Sequence, residues 1–179
     1  FESTAAPTDS LQGALAAAKQ GKPLTFNQEY ALESLWHEIN HNRQSGLASI
    51  NHLSRSDLPT QLMETVNQFT SRHTYTDLLA GMGVTAAHQP QILANGIGYY
   101  DYVRNLRTLI AAIGADEAAV AQALTQYNHT AKSFLTIDDD ITGILMGLAK
   151  KKPILRGKLA NIVAAIPDNP AFTARLSRL

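Results

Sequence analysis

The sequence predicts a mainly α fold: a compact multi-helix domain with at most a small β element near the N-terminus. Apolar residues recur at helical spacing over most of the chain, and the main Gly and Pro breakers fall between the periodic segments. A length of 179 residues, 45% of them hydrophobic and 17% charged, suits one domain with a real core and argues against a disordered or fibrous chain.

Residues 1–9, rich in Ser, Thr, Ala and Pro, are expected to be loose. An Ala-rich helix follows from Ser10 to Gln20 and is stopped by Gly21-Lys22-Pro23. The strongest helical signal runs from Thr25 to Arg43, with Thr25 or Asn27 as N-cap. The segment after Ser45-Gly46 is ambiguous by pattern, and Leu47-Ala48-Ser49-Ile50 is compatible with a short strand. Asp57-Leu58-Pro59 has the form of a helix start, with Asp capping and Pro in the first turn, and opens a second long helix to Arg72. A short helical piece to Gly81, a loop through Pro90 and a turn at Asn95-Gly96-Ile97-Gly98 come next. The rest, 99–179, reads as a helical scaffold with helices over 99–113, 116–127, 138–149 and 155–166; Gly114 and Pro167 stand just past two of them. No repeat or linker divides the chain, so 1–179 is read as one domain.

Composition narrows the function. Fifteen Lys and Arg balance fifteen Asp and Glu, which leaves no net charge to hold a nucleic-acid backbone or an anionic membrane. The absence of cysteine excludes disulfides, thiol nucleophiles, thiolate zinc sites and iron–sulfur clusters. No apolar run has the length of a membrane span. The chain opens on Phe1 and not on Met, so attachment to a larger polypeptide upstream is expected.

The chemistry concentrates in the strongest helix, where Trp36-His37-Glu38-Ile39-Asn40-His41 contains the pattern His-Glu-x-x-His. Residues four apart on a helix lie about 40° apart around the axis and about 6 Å along it, so two imidazoles can close on one ion. Glu38 flanks the same face, within reach of a water that the ion activates. Leu32, Leu35 and Ile39 gather on one side of this helix, and Glu33, His37 and His41 on the other. The competing reading of that polar face is a solvated surface with two histidines on it. A third ligand is needed, and an extended Gly/His continuation is absent because Gln44 and Leu47 stand in its place. Glu64 is the only Glu between Glu38 and Glu117, and it lies opposite the apolar stripe Leu62, Val66 and Phe69 of the second long helix. A surface Glu would have the same placement.

The arrangement of His37, Glu38 and His41 followed by Glu64 on a later helix resembles the gluzincin group of zinc metallopeptidases, over roughly Thr25 to Arg72. The resemblance implies Zn2+ as cofactor, His37, His41 and Glu64 as its ligands, Glu38 as general base, and a peptide or protein as substrate. The family often carries an Asp one turn past the ligand Glu, where this chain has Gln68. A looser similarity, around Tyr30–Glu38, is to the C-terminal regions of minor head proteins of tailed phages and prophages; it implies instead a helical structural or interaction module whose metal site is inactive or absent.

Other residues are candidates for the same site. His73 and Tyr75 are candidate transition-state stabilisers, although His73 also fits a satisfied, partly buried histidine. Among Tyr99, Tyr100 and Tyr102, one phenol could reach the metal, but aromatics opening a helix are more often core. Asn95–Gly98 lacks the third glycine and the strand of a dinucleotide loop. Asp138-Asp139-Asp140 and Lys150-Lys151-Lys152 are explained by their places at helix ends.

Overall fold

Helix α2 (Phe26–Asn42) starts on a complete capping box. The Thr25 hydroxyl accepts from the Gln28 backbone N–H, and the Gln28 side chain accepts from the Thr25 N–H, so two otherwise unpaired donors are satisfied together. The computed structural model describes residues 7–151 and 154–179. Around α2 it places α1 (Pro7–Lys19), α3 (Leu58–Gly81), α4 (Gln89–Asn95), α5 (Tyr100–Ala112), α6 (Glu117–Thr130), α7 (Ile137–Leu148), α8 (Arg156–Val163) and α9 (Asn169–Leu176). The mainly α expectation holds: among the described residues there is no strand. No described helix is long and apolar enough to cross a membrane.

The structure corrects several local expectations. Leu47–Ile50 is a 3₁₀ turn, not a strand, and the small β element is therefore absent from the described residues. The second long helix does not stop at Arg72 but continues unbroken to Gly81. No Gly or Pro interrupts it after Pro59, and Thr65, Thr70 and Thr74 each return their hydroxyl to the carbonyl four residues earlier. The loop expected through Pro90 ends sooner, because Pro90 sits in the first turn of α4. Helix α9 was not expected; its Asp168 cap and Pro170 repeat the start signal seen at Asp57 and Pro59. Residues 7–9, expected loose, begin α1; residues 1–6, like Lys152 and Pro153, lie outside the described residues.

Helix α3, about 36 Å long at 1.5 Å per residue, is the axis of the fold. One apolar cluster joins its Leu62, Val66 and Phe69 to α5–α9, through Leu106, Ile110, Leu124, Ile141, Ile162 and Phe172. A second cluster joins its Tyr75 and Leu79 to Ala14, Leu24, Leu32 and Ile92 on the other side. Burying such a side chain contributes about 1.5–3 kcal/mol. With α3 clamped on both sides, α2 has one fixed position against it.

Two glycines separate packing from helix propensity. A Cβ on Gly46 would meet the Ala131 carbonyl oxygen at 2.8 Å and the Ser133 nitrogen at 3.0 Å, both of them backbone. A Cβ on Gly143, inside α7, would meet only the Arg156 guanidinium at 3.9 Å. Gly46→Ala is expected to destabilise by about 1–3 kcal/mol, and Gly143→Ala to stabilise by about 0.5–1 kcal/mol. Urea denaturation of both variants checks this pair of opposite signs.

Candidate metal centre

Helices α2 and α3 run antiparallel and meet through polar side chains. Glu29, Glu33, His37 and His41 recur every four residues along α2 and form one ridge directed at α3. Glu29 and Glu33 are fully buried and His37 is 6% exposed, so this is not the solvated face of the competing reading. Each group finds a partner on the way down. The Tyr75 hydroxyl donates to Glu29 Oε1 at 2.6 Å, and the backbone N–H groups of Ala87 and His88 complete that carboxylate's shell. Gln68 Nε2 donates to Glu33 Oε1 at 2.5 Å. Asn40 Nδ2 donates to the Ser71 hydroxyl at 2.9 Å.

At the lower end of the ridge, His37, His41 and Glu64 converge. The two imidazole Nε2 atoms are 3.0 Å apart, and Glu64 Oε2 lies 3.4 Å from His37 Nε2 and 3.3 Å from His41 Nε2. A tetrahedral ion with ligands about 2.0–2.1 Å away holds them about 3.3 Å from one another. The three atoms therefore already stand near the corners of such a coordination shell, and the group can hold a metal ion. Glu64 Oε2 is buried and makes no hydrogen bond, as suits an atom whose partner is an ion.

The electrostatics agree with that geometry. Burial alone would raise the Glu64 carboxyl, but the two imidazoles outweigh it and hold it down at about 2. Burial opposes protonation of His41, yet Glu64, Gln44 and Glu38 together raise it. Deeper in the seam, desolvation pushes Glu33 up to about 7, against the Arg72 charge and the Gln68 hydrogen bond.

The triad opens on a cavity of about 580 Å³, a size suited to a small substrate or peptide segment. Glu38, exposed, lines it beside His37 and His41, with Arg55, Gln68 and Tyr99 around them. Among the described residues Tyr99 is the only non-glycine residue with positive φ, at 49°. It follows the Asn95–Gly98 turn, where a Cβ on Gly96 would strike the Arg72 guanidinium at 2.8 Å and the Gly98 N–H is held by the Tyr30 hydroxyl at 2.9 Å. That anchored turn sets the Tyr99 ring, 6.0 Å from the His37 ring and inclined by 22°. Desolvation and the Glu64 charge push its phenol up to about 12, so it remains a proton donor at neutral pH.

Two expected site residues are elsewhere. Tyr75 is fully buried with its hydroxyl committed to Glu29, which lies about 18 Å along α2 from His41. His73 lies 3.2 Å from Glu117 Oε1 and lines a different cavity on the α6 side. Neither can stabilise a transition state at the triad. Missed in the sequence were Glu29, the fourth member of a ridge whose four-residue spacing is plain, and Asn67 and Asn128, which no local pattern marks. Gln44 registered only as a departure from a longer motif, yet its Oε1 lies 2.9 Å from His41 Nδ1.

A second cavity, about 370 Å³, is lined by Arg72, Arg104 and Arg107 but offers no free cation. Arg107 is bound to Glu117 and the Leu93 carbonyl, Arg104 to Asp101, and Arg72 to the carbonyls of Gly96 and Gly98. Comparison with protein-family models, curated proteins and solved structures finds no match to this chain.

The buried Glu33 has a measurable consequence. Its folded value of about 7 exceeds the ordinary 4.5, so between those values the folded chain keeps a proton that the unfolded chain has lost. Its contribution to stability is therefore present below that window and declines as pH rises through it. Urea midpoints of wild type and Glu33→Gln, compared across the window, should diverge as pH rises, with the variant lacking the decline. Parallel profiles would contradict the burial of an ionisable Glu33.

Proposed function

We propose that this chain is a zinc-dependent hydrolase, most naturally a metallopeptidase, that cleaves an amide bond presented in the cavity beside the triad. The observation that carries the reading is the near-tetrahedral spacing of His37 Nε2, His41 Nε2 and Glu64 Oε2, with the Glu38 carboxylate lining the same cavity. Two imidazole nitrogens and one carboxylate oxygen are a donor set that Zn2+ accepts while keeping a fourth position open. When bound there, zinc supplies Lewis-acid chemistry, activating water and polarising the scissile carbonyl.

The chain's own residues do the rest. Glu38 is exposed to the cavity and does not join the three converging ligand atoms, so its carboxylate is free to take a proton from the attacking water and return it to the leaving amine. Tyr99 offers a protonated phenol at the rim to the oxygen that gains charge during attack. Leu47 and Met63 give the cavity apolar wall, and Ser34 and Gln68 give it hydrogen-bonding groups for a peptide backbone.

Glu38→Gln is expected to bind one zinc per chain and to lose at least about a hundredfold in hydrolysis of a fluorogenic peptide library. Glu64→Ala should instead lose the metal itself, read by elemental analysis after gel filtration. Tyr99→Phe should lower kcat by about a hundredfold with little change in KM. Undiminished hydrolysis by Glu38→Gln would remove the general-base assignment. Zinc bound without any hydrolysis by wild type would favour the structural-module reading.

A further inference from the structure

Three polar side chains connect the triad to itself through the interior. Asn67 Nδ2 donates to the His37 backbone carbonyl at 3.0 Å. Asn128 Nδ2 donates to Asn67 Oδ1 at 3.0 Å. Gln44 Nε2 donates to Asn128 Oδ1 at 2.6 Å, and Gln44 Oε1 lies 2.9 Å from His41 Nδ1. Asn67 and Asn128 are fully buried and Gln44 nearly so, which makes a misdirected polar group costly. The circuit leaves α2 at His37, crosses α3 and α6, and returns one turn further along α2.

Side-chain amides can be turned end for end with little change of shape, so a chain of them needs a fixed end to have a direction. The His37 carbonyl is that end, because it can only accept. Asn67 must then present its nitrogen to His37 and its oxygen to Asn128. Asn128 must in turn present its oxygen to Gln44, and Gln44 is left with an oxygen facing His41. An oxygen can only accept, so His41 Nδ1 carries the hydrogen and Nε2 keeps its lone pair.

We infer that Asn67, Asn128 and Gln44 form a directional amide relay that holds His41 in the Nδ1–H tautomer, so that Nε2 faces the metal position already prepared to ligate. They are positioning residues: none touches the ion or the substrate, and each acts through His41. The purpose of the relay rests on the metal-centre reading, while its direction rests only on the hydrogen bonds.

The test uses metal-free protein at alkaline pH, where His41 is neutral, and reads its tautomer from two-bond proton–nitrogen correlations of the imidazole. Wild type is expected to show His41 protonated at Nδ1. Asn128→Leu, which removes the relay's middle without touching His41, should yield a mixture of tautomers and weaken Zn2+ binding about tenfold or more in chelator competition. Asn128→Asp loses the donor to Asn67 Oδ1 but keeps an acceptor facing Gln44 Nε2, so it should retain the wild-type tautomer, and a mixture there would overturn the inference. Protonation at Nε2 in wild type would overturn the inference, whether or not Asn128→Leu folds. So would Asn128→Leu with both tautomer and zinc affinity unchanged. These readouts need no activity, so they stand apart from the outcome of the hydrolysis assays.

Discussion

Burial of charged and polar groups between α2 and α3 is the constraint on which the rest depends. An unpaired carboxylate or imidazole in that seam would cost several kcal/mol, so every group on the α2 ridge needs a partner at the matching height on α3 or on the elements behind it. Glu29 takes Tyr75 and two backbone N–H groups, Glu33 takes Gln68, and His37 and His41 take Glu64. An apolar seam would tolerate a shift by one residue with modest loss. This one would not, because a shift breaks several hydrogen bonds at once. The same requirement that fixes the helix pair in register therefore brings three ligand atoms together.

The two histidines are not equivalent within that seam. His41 is held from behind by Gln44, whereas His37 Nδ1 is buried without a partner. The relay inferred above therefore acts on one ligand, His41, and leaves the His37 ring without an orienting partner at Nδ1.

Most of the fold was legible because helices announce themselves locally. Thr25, Asp57 and Asp116 all mark true starts, and the periodic segments between them are helices. What failed was local in another way. Leu47–Ile50 has the composition of a strand but no strand among the described residues to pair with, and it turns as 3₁₀. The triad itself was legible, since His37 and His41 share a face by spacing and Glu64 was the only Glu between Glu38 and Glu117. Its surroundings were not. Asn67 and Asn128 are far apart in the chain, and only the packing of α3 against α6 unites them. Tyr99 depends on a left-handed backbone after the Gly98 turn, a conformation that the residue type itself disfavours.

In the proposed site three side-chain atoms, from two helices, share one cation. The most direct measurement is the anomalous difference map of a zinc-soaked crystal, recorded on either side of the zinc absorption edge. A single strong peak within bonding distance of His37 Nε2, His41 Nε2 and Glu64 Oε2 is the predicted result. A map with no peak between them, or a peak held by other residues with Glu64 turned away, would contradict it.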